Sequence, residues 1–164
     1  MAVKPVVTYP HPCLQKEAEP VGEITDEIAQ LIEDMLDTMY EDEDTVALAA
    51  PQLGVSLQII VLDLSETRDQ PLCLLNPEII SQEGRVESEE GCASFPGVYI
   101  TVPRNEIIQV EAYDFEGSPI ELEAEGLLSY CLQHEIDHLQ GKLFIDHLTD
   151  AEKERVLKEF QKIS

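Results

Sequence analysis

Between Cys131 and Gly141 the chain reads CLQHEIDHLQG, and no other stretch limits the fold as much. Residues four apart on an α-helix share a face, so His134 and His138 project side by side, about 6 Å apart along the axis. That spacing suits two imidazoles converging on one ion through bonds of about 2 Å. Glu135 points about 100° further round the cylinder. It is displaced from the pair, yet near enough to reach a water on the ion, and H-E-x-x-H with glutamate as general base is the signature of this arrangement. The helix interior is otherwise apolar, with Leu127, Leu128, Leu132, Ile136 and Leu139. Histidines among such neighbours need partners. They either hydrogen-bond in a core, face solvent, or share a metal ion.

The metal reading requires a third protein ligand. Cys131 lies on the same stripe but stands about 10 Å from His138 along the axis, too far to share one ion. Cys92, in EEGCASFPG, is the candidate from elsewhere: Gly91 before it lets the backbone bend tightly. Two imidazoles and one thiolate leave a coordination position open for water. A cysteine that merely packs is the alternative.

A chain of 164 residues fits one domain, 1–164, with a single sizeable core. The opening, through about residue 24, is proline-rich and irregular. TDEIAQLIEDMLDTMYE then predicts a helix with Ile28, Leu31, Ile32, Met35, Leu36 and Met39 on one core-facing stripe. Thr25 caps its start. EDEDTVALAAPQLGV reads as a loop, LQIIVLDL as a buried strand, and CLLNPEIIS as a strand bent or ended by Asn-Pro. NEIIQVEAYD and SPIELEAEG predict a hairpin turning at DFEGS, its second arm alternating apolar and glutamate. Two helices follow. The first runs from about Leu127 to Gln140 with Gly141 as a left-handed cap. The second opens on Thr149 and Glu152 at capping-box spacing, with Val156, Leu157, Phe160 and Ile163 on its apolar side. This order predicts an α+β fold: antiparallel or mixed sheets wrapped around a central metal-binding helix, with N-terminal and C-terminal helices.

The net charge of −24 argues against DNA or RNA binding over the general surface. Residues 142–164 balance five cations against five acids, so residues 1–141 hold the whole excess. The tail is the one part able to approach an anionic partner. No apolar run is long enough to cross a bilayer, and the N-terminal segment lacks an export pattern. A cytoplasmic protein with reduced thiols is expected.

Three stretches, TVALAAPQLG, EGCAS and QHEIDHLQGKLF, resemble in order and spacing the three motifs of bacterial peptide deformylase, usually G-x-G-L-A-A-x-Q, E-G-C-L-S and Q-H-E-x-D-H. The likeness extends over nearly the whole chain. It implies that Cys92, His134 and His138 bind a divalent metal, Fe²⁺ in the cell, replaceable by Ni²⁺, Co²⁺ or Zn²⁺. It makes Glu135 the acid/base, and Gln52 and the backbone N–H of Ala93 the oxyanion donors. Val46, Ala47, Glu90, Leu127 and Tyr130 would contact substrate, the N-formylmethionyl end of a nascent polypeptide. The C-terminal helix in this family can contact the ribosome. Thr45 and Ala47 replace the first motif's glycines, Ala93 replaces a leucine, and Tyr130 adds a hydroxyl near the methionine pocket. A relative with another N-acyl or side-chain preference is therefore an alternative, as is a non-catalytic, ribosome-associated metal protein. Tyr99 and Arg104 are further peptide-contact candidates; Arg104 could instead pair with Glu90 or Asp137 in the interior.

Overall fold

A computed structural model describes residues 3–163, with side chains through 162. Met1, Ala2, Ser164 and the side chain of Ile163 lie outside the described residues. The first helix, α1 (Asp26–Glu41), starts where Thr25 Oγ1 accepts the Ile28 N–H at 3.3 Å. Its apolar stripe packs with strand residues Ile59, Val61, Cys73 and Leu75 into one core cluster, as the helical spacing predicts.

Among the described residues seven strands follow in chain order: β1 (Ala47–Ala49), β2 (Ile59–Leu62), β3 (Leu72–Glu83), β4 (Val86–Cys92), β5 (Phe95–Arg104), β6 (Ile107–Tyr113) and β7 (Pro119–Glu125). They form a five-stranded sheet ordered β1-β2-β3-β6-β7 and a separate two-stranded sheet, β4-β5. Every strand pairing is antiparallel; the one parallel contact among the described residues is an isolated bridge, Glu19 to Leu57. The β6–β7 hairpin turns at Asp114–Gly117, where the Gly117 N–H donates to the Asp114 carbonyl at 2.9 Å and Gly117 has φ 83.

Two expectations change. The stretch read as a loop after α1 contains β1, paired Ala47 to Leu62, and a 3₁₀ turn, Ala50–Leu53. The three-residue strand follows from pairing with β2, a tertiary effect with no local signature. The strand at Asn-Pro neither stops nor simply bends. Asn76 takes φ 52, the register with β6 shifts between Leu75 and Glu78, and β3 continues to Glu83. The Asn76 amide makes the bulge affordable: it accepts the Val21 N–H at 2.7 Å and donates to the Val21 carbonyl at 2.8 Å.

The second helix, α2 (Leu127–Leu139), lays Leu132, Ile136 and Leu139 onto a core built from β2, β3, β6 and β7. It ends at Gly141, φ 74, where an added Cβ would stand 2.7 Å from the Lys16 carbonyl carbon. A side chain there would push away the N-terminal segment, whose Ala18 N–H donates to the Leu139 carbonyl at 2.8 Å. The last helix, α3 (Asp150–Ile163), opens with a reciprocal cap between Thr149 and Glu152. It buries Phe160 against Phe95, ring centroids 5.3 Å apart. The helix with the two histidines thus lies between the large sheet and the β4–β5 sheet.

Candidate active site

Cys92 is the last residue of β4. There the β4–β5 register breaks: Gly91 pairs with Tyr99, but Cys92 pairs with Phe95. A Cβ on Gly91 would lie 2.7 Å from the Tyr99 ring, so a side chain there would displace that ring. The break brings the Cys92 sulfur over α2. Ligand atoms of Cys92, His134 and His138 all lie within 4.8 Å of one another, and Sγ is 3.4 Å from His138 Nε2. Burial pushes His138 down to about 3, so its imidazole is neutral with a lone pair to offer. Cys131 stays out of the cluster, and burial pushes its thiol up to about 12, which keeps it protonated and a poor ligand.

One thiolate and two imidazoles form a donor set for Fe²⁺, Zn²⁺, Ni²⁺ or Co²⁺. Among the described residues, two buried atoms beside it, Glu135 Oε2 and His138 Nδ1, have no hydrogen-bond partner. Buried polar atoms are costly when left so. A divalent ion with its water fits the donor set and gives the Glu135 oxygen something to meet.

The supporting contacts are ionic. His134 Nδ1 donates to Glu90 Oε1 at 2.9 Å, which turns Nε2 toward the other two ligands. Arg104, 4% exposed, grips Glu90 with Nε and Nη2 at 2.8 and 2.7 Å. Its Nη1 donates to Asp137 at 2.8 Å, and His147 Nε2 donates to the same Asp137 oxygen at 2.9 Å. Arg104 therefore takes both of the acids considered as partners. Glu90, considered for substrate contact, does line the cleft, but its carboxylate is committed to Arg104 and His134. Burial alone would raise its pKa; Arg104 and His134 outweigh that and hold it at about 2.

Glu135 is 3% exposed, with Oε1 4.0 Å from His134 Nε2. Burial pushes its carboxyl up to about 7, against the opposing pull of His134. Gln52, on the 3₁₀ turn after β1, is 1% exposed. Its Oε1 accepts the Ala49 N–H at 3.0 Å, so the NH₂ end faces the Cys92 sulfur at 3.7 Å and the Ser94 hydroxyl at 3.3 Å. Ser94, fully buried, escaped the sequence reading; its one signal was its place two residues after Cys92. His147 escaped it too, having no motif around it.

These groups lie along a cleft of about 830 Å³. Val46, Ala47, Gln52, Glu90, Leu127 and Tyr130 line it, and so do Cys92, Ala93, His134 and Glu135. His138 is sealed behind, 1% exposed. Thr45 and Ala47 both have negative φ, since the described non-glycine residues with positive φ are Arg68 and Asn76. Their side chains therefore narrow the cleft without straining the backbone. Tyr99, 72% exposed, stands at the mouth.

The family model described as Polypeptide deformylase matches residues 3–154. The chain belongs to the peptide deformylase family. A peptide deformylase of Hydrogenovibrio crunogenus is 50% identical over 157 residues, covering 96% of this chain and 92% of the relative. A crystal structure of the Legionella pneumophila peptide deformylase superposes with TM-score 0.90 at 44% identity, covering 99% of this chain and 97% of the other. The Ehrlichia chaffeensis enzyme in complex with actinonin gives TM-score 0.93 at 33% identity, over 100% and 99% of the two chains. This deformylase is a metal-dependent amide hydrolase that removes the N-formyl group from the N-terminal methionine of newly synthesised polypeptides. Among the described residues no helix is long and apolar enough to cross a membrane.

Proposed function

We propose that Cys92, His134 and His138 hold one Fe²⁺ ion, that Glu135 is the acid/base, and that Gln52 and the Ala93 N–H receive the oxyanion, all within one catalytic domain of residues 1–164. The convergence of the three ligand atoms within 4.8 Å, with the Glu135 carboxylate 4.0 Å from His134 Nε2, carries this reading. The ion would supply Lewis acidity, bringing the pKa of its bound water toward neutrality and polarising the formyl oxygen. Glu135 takes a proton from the attacking water and delivers it to the departing amine. Charge developing on the formyl oxygen meets the Gln52 Nε2–H, which Ala49 has already oriented, and the Ala93 N–H. Glu90 fixes the tautomer and direction of His134 through Nδ1. Val46, Ala47, Leu127 and Tyr130 line the channel in which the methionyl chain lies.

Thiolate and imidazole accept Fe²⁺ but bind Zn²⁺ more tightly, so iron in this site would be set by metal supply and not by the donors. Thiolate-bound Fe²⁺ is prone to oxidation, so the iron form requires a reducing cytoplasm. Anaerobically purified protein should contain about one iron per chain and lose turnover of formyl-Met-Ala-Ser on exposure to air. Stoichiometric zinc with full, air-stable turnover would overturn the iron assignment.

The outer face of α3 presents Arg155, Lys158 and Lys162 beside Glu154 and Glu159, with Lys158 3.4 Å from Glu154, and we propose that its cations touch ribosomal RNA near the emerging chain. Co-sedimentation with ribosomes at low salt should fall several-fold when these three are changed to glutamate. Equal recovery removes the idea.

A further inference from the structure

One wall of the cleft is carried by the turn between α1 and β1, through Asp42, Asp44, Thr45 and Val46. The turn's own hydrogen bonds are local. The Asp44 N–H and the Thr45 hydroxyl both donate to the Asp42 carboxylate at 2.9 Å, and the Thr45 N–H donates to the Asp42 carbonyl at 3.1 Å. Such bonds keep the turn's shape but do not fix where it stands relative to Cys92 and α2.

A side chain from outside the cleft does that. Arg68 Nη1 donates to the Glu43 carbonyl at 2.7 Å. Its Nη2 faces the carbonyls of Met39 at 3.0 Å, Asp42 at 3.3 Å and Thr45 at 3.2 Å. The guanidinium carbon lies 5.3 Å from the Tyr40 ring centroid. The last carbonyls of a helix lack partners and carry the negative end of its dipole. A planar fork of five donors suits them as a flexible ammonium does not.

Arg68 is in turn held in place. The Asp63 carboxylate accepts the Tyr40 hydroxyl at 2.6 Å, the Ser65 N–H at 2.8 Å and the Gln70 N–H at 3.0 Å, closing the segment that presents Arg68. Its backbone N–H donates to the Val46 carbonyl at 2.8 Å. Among the described residues, the hydrogen bonds from 42–45 to other segments are those with Arg68. Arg68 itself neither lines the cleft nor belongs to the ligand cluster.

We infer that Arg68 is a positioning residue for deformylation: it clamps the end of α1 and the turn 42–45 to the body, and so sets the wall against which the formyl peptide binds. This rests on the cleft being the substrate site. The clamp acts on where the peptide lies and leaves the reacting groups untouched, so it governs KM and not kcat.

The test uses the full, metal-loaded chain with Arg68→Ala and Arg68→Lys, steady-state kinetics on formyl-Met-Ala-Ser, metal content, and amide hydrogen exchange. Arg68→Ala should raise KM about tenfold with kcat within about threefold and metal content unchanged. Exchange across 42–47 should quicken at least about tenfold, while 132–138 stays as in the parent. Arg68→Lys, which keeps the charge without the fork, should fall between. An unchanged KM, a fall in kcat at constant KM, or unaltered exchange at 42–47 each overturns the proposal. If Arg68→Ala does not fold, the same criteria decide on Arg68→Lys. A parent chain inactive on formyl-Met-Ala-Ser would overturn the deformylase reading instead, and the exchange comparison would still decide whether the clamp exists.

Discussion

Changing Glu135 to glutamine should lower kcat on formyl-Met-Ala-Ser by about 10²- to 10⁴-fold while the metal stays bound. Glutamine keeps the shape and the hydrogen-bonding reach of the side chain but cannot accept the water's proton. Cys92, His134 and His138 are left as they were, so metal analysis of the variant should match the parent. Stability should not fall either. The buried carboxylate has one oxygen without a hydrogen-bond partner among the described residues, and a neutral amide is easier to bury than a charge. A loss of rate with metal and thermal midpoint both retained is thus the specific signature. Turnover equal to the parent would count decisively against the assigned role.

Changing Cys92 to alanine should remove both metal and activity. The sulfur comes from β4 and the imidazoles from α2, so an ion held by all three would cross-link two parts of the fold. Losing one of three protein ligands should weaken metal binding by at least about 10²-fold, more than loss of a supporting contact does. The parent gains about 4 kcal/mol of stability when free metal stands at a thousand times Kd, and the variant should gain almost none. Thermal unfolding with added metal and with chelator measures this directly. Cys131→Ala is the control. Its thiol lines the cleft but lies outside the ligand cluster, so metal-dependent stabilisation should persist. Equal metal binding by Cys92→Ala would require another third ligand.

The helix at the centre of the site was legible because period and chemistry coincide in one short stretch: apolar neighbours bury it, and four-residue spacing aligns the imidazoles. The α1 stripe, the β6–β7 hairpin and the reciprocal N-terminal cap of α3 were legible for the same reason, each being a local pattern. Cys92 was different. Nothing in the spacing ties residue 92 to residue 134: the residues offered it as a third ligand or as a packing cysteine, the resemblance across three motifs chose the ligand, and the register break at Gly91 supplies the geometry. The roles of Glu90 and Arg104 were half visible: an interior pair was expected, but not that Glu90 would also orient His134. The short β1 was hidden because its pairing with β2 is a tertiary event. Arg68 was hidden because its partners are backbone carbonyls, which leave no trace in side-chain identity.

Among the described residues the β4–β5 sheet shares no strand pairing with the five-stranded sheet, and Arg104, on β5, reaches Glu90 on its own sheet and Asp137 on α2. That joint is largely buried and close-range, whereas most of the excess of 24 negative charges sits where water and counterions reach it. Dissolved ions act over a Debye length and screen exposed charges far more than enclosed ones. Raising ionic strength therefore relaxes the mutual repulsion of the acidic shell while the alignment of sulfur and imidazoles stays as it was. The contacts that align the ligand side chains therefore answer to salt less than the acidic surface around them does.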